Sequence, residues 1–201
     1  FRRVLFRSHL WRQGLRSVVD LREHNITEEF TWAHRVSDRG IRFLQECRVD
    51  QPFLLVCSYD EPHGPHVTPP EYLEQFQDFA FPLGPGAQDE LADKPAHQRE
   101  WAAARGANRP DGFCRHAKYF ACNSYVDYEI GRILDAVEEH APDDTWVIFT
   151  SDHGDMFGAH RITGKGPVMY DEITRIPFII RAPGGEQGLV SECPVSHLDL
   201  M

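Results

Sequence analysis

Two apolar runs and the helical pattern between them constrain the fold of this 201-residue chain more than any other feature. Pro52-Phe53-Leu54-Leu55-Val56-Cys57-Ser58-Tyr59 and Trp146-Val147-Ile148-Phe149 are continuous rather than alternating, the pattern of strands buried on both faces. They predict strands over 53–59 and 145–150. Between them, from about Phe113 to His140, Val126, Ile130, Ile133 and Val137 share one helical face, and Pro142 ends the helix. A helix joining two buried strands is a crossover unit, which implies a parallel arrangement in an α/β sheet. Ligands in such sheets gather beyond the carboxyl ends of the strands, so the residues after Tyr59 and Phe149 are where chemistry is expected.

The second strand runs into Thr150-Ser151-Asp152-His153-Gly154-Asp155-Met156-Phe157-Gly158-Ala159-His160, followed by Gly164-Lys165-Gly166-Pro167. A carboxylate and an imidazole leaving a sheet edge together are a plausible metal ligand pair, and Gly154 lets the backbone turn away. Lys165 returns a compact cation to the same edge. A metal with a lysine can hold a tetrahedral oxyanion and stabilise charge developing on it. Asp-His-Gly after a strand is, by itself, more often a simple turn.

The first strand runs into Asp60-Glu61-Pro62-His63-Gly64-Pro65-His66, with Pro69-Pro70 close behind. Prolines fix the backbone, so the His63 imidazole is presented with little entropy left to lose. A histidine so held can hydrogen-bond an anion or a leaving-group oxygen. His66 has no comparable support and is expected to be structural or solvent-facing.

These residues also carry a family resemblance. Ser-Asp-His-Gly-Asp-Met, Gly-x-His and Gly-Lys-Gly-Pro, with Met169-Tyr170-Asp171-Glu172 and Arg175-Ile176-Pro177-Phe178-Ile179-Ile180-Arg181-Ala182-Pro183-Gly184, closely resemble the second metal-and-anion block of the sulfatases. His63-Gly64-Pro65 matches a His-x-Pro element of the same family, which belongs to the alkaline phosphatase superfamily. The resemblance implies a partial alkaline-phosphatase-like α/β domain, its mostly parallel sheet flanked by helices on both faces. It implies that Asp152 and His153 bind one divalent cation, with Lys165 and His63 holding the sulfate and assisting the leaving oxygen. Calcium is the family's expected ion, yet an imidazole suits zinc or manganese better than calcium, and the family often has Asn where this chain has His153.

Sulfatases attack sulfur with a formylglycine made from a cysteine in Cys-x-Pro-x-Arg or Cys-x-Ala-x-Arg. None of Cys47, Cys57, Cys114, Cys122 and Cys193 fits, and Cys193-Pro194-Val195-Ser196-His197 comes nearest and fails. The nucleophile and the family's first aspartate pair are therefore expected upstream, and the 201 residues alone are expected to be inactive. An Asp-His pair also occurs in related phosphonate monoester and phosphodiester hydrolases, so that chemistry stays open. So does a non-catalytic anion-binding module. The expected partner is a small-molecule or saccharide sulfate ester, with sugar, aryl and choline sulfates all admissible.

Residues 1–8 read as a translated sequencing adapter and are set aside, leaving 9–201 as a catalytic domain expected to be cut at both ends. Without Arg2, Arg3 and Arg7 the chain has 18 basic residues against 31 acidic ones, a net charge of −13. That balance gives nucleic-acid binding no support. No stretch approaches the roughly 18 apolar residues of a membrane span. The cysteine spacing suggests no disulfide framework and leans toward a reducing compartment, leaving localisation and oligomeric state open.

Elsewhere a helix is expected from Glu28 to Arg48, a short one around Glu71–Phe76 and one turn near Tyr170–Thr174. Residues 77–112, with four prolines and four glycines, read as an irregular insertion shaping the substrate pocket. Lys94, His97, Arg99 and Arg105 there are candidate substrate contacts, each more plausibly solvated. Asp127 and Glu129 read as exposed helix charges or a buried hydrogen bond rather than as metal ligands.

Overall fold

The computed structural model describes residues 27–48, 50–106 and 109–200; the segment 1–8 lies outside them. In chain order the elements are α1 (Trp32–Glu46), α2 (Pro70–Glu74), β1 (Phe81–Pro82), α3 (Ala96–Arg105), β2 (Phe113–Cys114), α4 (Ala117–His140), β3 (Val147–Thr150), α5 (Asp171–Thr174) and β4 (Phe178–Arg181). Single 3-10 turns occur at Glu28–Phe30, Pro85–Gln88, Ala159–Arg161 and His197–Leu200.

α1 begins at Thr31, whose hydroxyl accepts a hydrogen bond from the His34 amide and so satisfies an otherwise orphaned donor. Its buried face is Ala33, Ser37, Gly40 and Leu44, a seam of mostly small residues. A Cβ on Gly40 would lie 2.5 Å from Ile133 Cδ1, so glycine is what lets α4 approach. Polar pairs bind the seam. Tyr125 and Thr31 share a 2.7 Å hydroxyl contact, and Ser37 donates to the Glu129 carbonyl at 2.9 Å.

Glu129 resolves the choice left open for the helix charges. Asp127 is exposed, whereas the Glu129 carboxylate is 0 % exposed and bonded to Arg132 at 2.7 Å and His34 at 2.9 Å. A charge taken out of water needs such partners.

The run over 53–59 forms no strand and joins no ladder among the described residues, in contrast to the strand expected there. Its burial alternates. Phe53, Leu55, Cys57 and Tyr59 are half-buried, with Phe53 packed on Phe43 of α1 (5.5 Å between ring centroids) and Tyr59 on Ser37. Leu54 and Val56 are 87 % and 74 % exposed. Helix α1 covers one face; a ladder requires neighbouring strands, which an apolar run does not itself encode.

The parallel expectation concerns the runs at 53–59 and 145–150, which do not pair with each other among the described residues. Among the described residues both ladders are antiparallel, β1 with β2 and β3 with β4, the latter in register Val147↔Arg181 to Thr150↔Phe178. Strand β4 follows β3 through a loop and the single turn α5, which reverse the chain, so the crossover rule does not govern this pair. Residues 77–112 are more ordered than expected. They contain β1, a 3-10 turn and the ten-residue helix α3.

Replacing Glu129 with Ala should leave Arg132 and His34 without their shared anion. Removing one partner of a buried pair costs up to about 3 to 5 kcal/mol, and the partial exposure of Arg132 places the expected loss near the lower figure. Asp127→Ala should change stability by no more than about 0.5 kcal/mol. Thermal unfolding of the two variants side by side checks the difference.

Candidate active site

The loop that leaves β3 is built from its own backbone and one small core. The Gly154 amide donates to the Ile173 carbonyl at 2.9 Å, Met156 to Gly164 at 2.9 Å and Gly158 to Ile162 at 2.8 Å. Met156, Ala159, Ile162, Val168 and Ile173 bury their side chains together with Leu91, and Trp101, Ala102 and Tyr170 pack against them. The segment carrying Asp152 and His153 is thereby joined to the segment carrying Lys165. The glycines are required by close approach. A Cβ on Gly154 would stand 1.9 Å from the Glu172 carbonyl oxygen, and one on Gly166 would stand 2.2 Å from the Trp101 ring.

His160, from the same motif, is an internal strut rather than a site residue. Its Nδ1 lies 2.7 Å from the Asp89 carboxylate, and its ring stacks on Tyr170 with centroids 3.8 Å apart. The His160 hydrogen bond holds the Asp89 carboxyl below its usual range.

Asp152 and His153 lie side by side at the end of β3. The Asp152 carboxylate is 84 % exposed, accepts the His153 amide at 3.0 Å and has its other oxygen 3.5 Å from His153 Nε2. His153 Nδ1 sits 2.8 Å from the Gly154 carbonyl. A carbonyl only accepts, so Nδ1 carries a proton, and in the neutral ring this leaves the Nε2 lone pair on the side of the carboxylate. That is the tautomer a metal-binding histidine needs. The donor set fits a divalent cation as part of a coordination shell. Among the described residues no three His, Cys, Asp or Glu side chains gather to complete one.

Lys165 is exposed, at the tip of its glycine loop. The His63 side chain is also exposed, with Nδ1 2.9 Å from the Gly64 carbonyl. Two turns, His63 amide to Asp60 carbonyl and His66 amide to His63 carbonyl, shape its loop, in which Pro62 and Pro65 follow cis peptide bonds.

Near neighbours in sequence of these four residues take part in a cavity of about 150 Å³ lined by His66, Arg109, Cys114, His116, Tyr119, Asp155, Phe157, Thr163 and Gly164. None of the four predicted residues lines it. His66 does, half-buried, its ring edge-on to His116 at 4.9 Å and its Nδ1 2.7 Å from the Pro62 carbonyl. Burial pushes the His66 pKa down, and the nearby His116 and His63 push the same way. Sequence reasoning set His66 aside as a structural or solvent-facing residue and did not single out Arg109 or His116. The available signal was its place three residues after His63 in the same Pro-bounded loop.

Glu61 anchors that loop. Its Oε1 accepts the Trp32 and Ala33 amides at the start of α1, both at 3.1 Å, while Oε2 is buried without a partner among the described residues. Burial is the dominant effect and pushes its pKa up to about 7, against the pull of the amide bonds.

A family model described as Sulfatase matches residues 7–201. The chain belongs to the sulfatase family. It is 55 % identical over 194 residues to the uncharacterized sulfatase YidJ of Escherichia coli (strain K12), covering 96 % of this chain and 39 % of that protein. It is 31 % identical over 175 residues to an arylsulfatase of Clostridium perfringens (strain 13 / Type A), covering 83 % of this chain and 36 % of the relative. The crystal structure of a phosphonate monoester hydrolase of Agrobacterium radiobacter superposes with a TM-score of 0.54 at 26 % identity, over 79 % of this chain and 34 % of the other. The chain thus spans less than half the length of these relatives. Its fold is that of a partial alkaline-phosphatase-like α/β domain.

The Glu61 shift sets a pH dependence. A carboxyl raised from 4.5 to about 7 binds its proton more tightly folded than unfolded. Its contribution to stability is therefore complete below about pH 4.5 and is lost as pH rises toward 7. In Glu61→Gln the amide group keeps an acceptor for α1 and places a neutral group at Oε2. The variant should lose less stability than the parent between pH 5 and 7, as melting temperatures across that range would reveal.

Proposed function

We propose that the protein containing this chain is a sulfuric ester hydrolase, and that this chain supplies part of its metal shell and its anion-holding groups. The observation that carries the reading is the Asp152–His153 pair, 3.5 Å apart, with the His153 Nδ1–H tied to Gly154, on a loop pinned to the Lys165 segment through Met156 and Gly164. Family membership supports the hydrolase class.

Asp152 and His153 would hold one divalent cation. Bound there, the cation acts as a Lewis acid toward the sulfate oxygens. Calcium is the family's expectation, and the imidazole donor equally accommodates manganese or zinc. Lys165 contributes a point charge toward the oxyanion without completing a coordination sphere. His63, presented on its Pro-bounded turn, hydrogen-bonds the sulfate or the leaving oxygen. The reading places the nucleophile, a formylglycine made from cysteine, outside this chain, because none of its five cysteines has the required context.

The second reading is phosphonate monoester or phosphodiester hydrolysis. It is favoured by His153 itself, a nitrogen ligand where many sulfatases have Asn, and by the similarity to the phosphonate monoester hydrolase. Parallel assays of an aryl sulfate and an aryl phosphonate with the full-length protein separate the two by the larger kcat/KM.

In the full-length protein Asp152→Ala should weaken metal binding, because an anionic ligand is lost beside a cation. Lys165→Ala should leave metal content near that of the parent and lower turnover about 10²–10³-fold, the cost of one oxyanion-stabilising group. Metal analysis and steady-state kinetics on the two variants check both halves. Parent-like behaviour in both would remove the assigned site.

A further inference from the structure

The cavity is built from the same three segments as the candidate site. His66 follows His63 by three residues, Asp155 follows Asp152 by three, and Gly164 precedes Lys165. The fourth wall comes from Arg109, Cys114, His116 and Tyr119, just before and within the start of α4. Its walls are thus continuous along the chain with the groups assigned to the reacting sulfate. Whole small-molecule sites run to roughly 300–1,000 Å³. At about 150 Å³ the cavity holds one portion of a larger ligand.

Its lining presents both donors and acceptors. His116 Nδ1 accepts the Tyr119 amide at 3.2 Å, so in the neutral ring Nε2 carries the proton and donates. His66 has the opposite tautomer, since Nδ1 donates to the Pro62 carbonyl and Nε2 keeps the lone pair. One oxygen of Asp155 accepts the Phe157 amide at 3.0 Å. Arg109 brings the positive charge, and its Nε is buried with no hydrogen-bond partner among the described residues. A buried unpartnered donor on a charged group is costly and calls for an explanation. Tyr119 and Phe157, edge-to-face at 4.2 Å, supply an apolar wall.

The conformations of the lining are also unusual. His66 (φ 56°) and Phe157 (φ 50°) are both left-handed without being glycine. Such strain persists where surrounding structure imposes it, and it clusters at binding sites.

Three ligand chemistries compete for this lining. A divalent cation would meet the Arg109 charge, and no three ligating side chains are gathered here among the described residues. A bare sulfate would face Asp155. A polyhydroxylated ring with one anionic substituent uses every feature, because hydroxyls donate and accept, the ring lies on the aromatic wall, and the anion pairs with Arg109. We propose that this cavity binds the alcohol portion of the substrate, a sugar ring carrying a second anionic group that Arg109 engages. The proposal rests on the sulfatase reading for the reacting sulfate and extends it to the leaving group.

The test uses the full-length protein and three monosaccharide sulfates, carrying a ring carboxylate, a second sulfate, or no further charge, with a small aryl sulfate as reference. For Arg109→Gln the ratio of kcat/KM between a doubly anionic sugar and the aryl sulfate should fall about 10- to 100-fold, the range for a hydrogen bond to a charged group. The uncharged sugar should show little change in that ratio, and Arg109→Lys should restore part of the loss. The ratio is insensitive to the folded fraction, and whichever doubly anionic sugar loses more identifies the anion. An unchanged ratio for both overturns the proposal. Calorimetric binding of the matching sugar carboxylate without its ester sulfate separates this idea from the one beneath it. If the parent cleaves no sulfate ester yet binds that sugar in an Arg109-dependent way, the sulfatase reading fails and the subsite stands. If binding is the same in parent and Arg109→Gln, the subsite falls whatever the enzyme hydrolyses.

Discussion

The packing of Met156, Ala159, Ile162, Val168 and Ile173 around one another, with Leu91 and Trp101 arriving from earlier in the chain, is the interaction on which the site geometry rests. Each of the first five belongs to the motif segment or the turn after it, so the loop carries its own core. This explains how a stretch with almost no regular secondary structure can hold side chains in place. Its amides are spent on Ile173, Gly164 and Ile162 carbonyls, and its apolar side chains exclude water beneath them. Asp152 and Lys165 are exposed, while Met156, Gly158, Ala159 and Ile162 between them are buried.

Residues 77–112 take part in the same arrangement. Leu91, Trp101 and Ala102 close the core, Asp89 pairs with His160, and the Arg105 carbonyl accepts the Thr163 hydroxyl at 2.5 Å. A stretch read as a pocket-shaping insertion is thus a buttress for the motif loop as well. Both roles meet at Arg109, which lines the cavity at the end of that stretch.

The other centre of order is the seam between α1 and α4. There the deciding residues are small or polar: Gly40 for closeness, Ser37 and Thr31 for hydrogen bonds, and Glu129 for a buried carboxylate bonded to Arg132 and His34. Hydrophobic spacing located both helices within a few residues of their ends. It could not indicate Glu129 as a core residue, because nothing local to that glutamate says that His34 and Arg132 will meet it. Glu61 crosses from the His63 loop to cap α1, so the His63 loop is tied to the same seam.

What the sequence determined alone was local chemistry. An Asp-His pair after an apolar run, a glycine-bounded lysine and a proline-bounded histidine identify the family, and helix periods survive translation into structure because they depend on residues three and four apart. Long-range pairing was decided by tertiary structure. The run at 53–59 alternates in burial with a helix on one face yet joins no ladder among the described residues, and β3 meets β4 antiparallel, since ladder partners and direction are properties of distant segments. The cavity is the clearest case. His66, Arg109, His116 and Asp155 span ninety residues of sequence with no shared spacing, and only the fold brings a donor, a cation, a lone pair and a carboxylate to one small space.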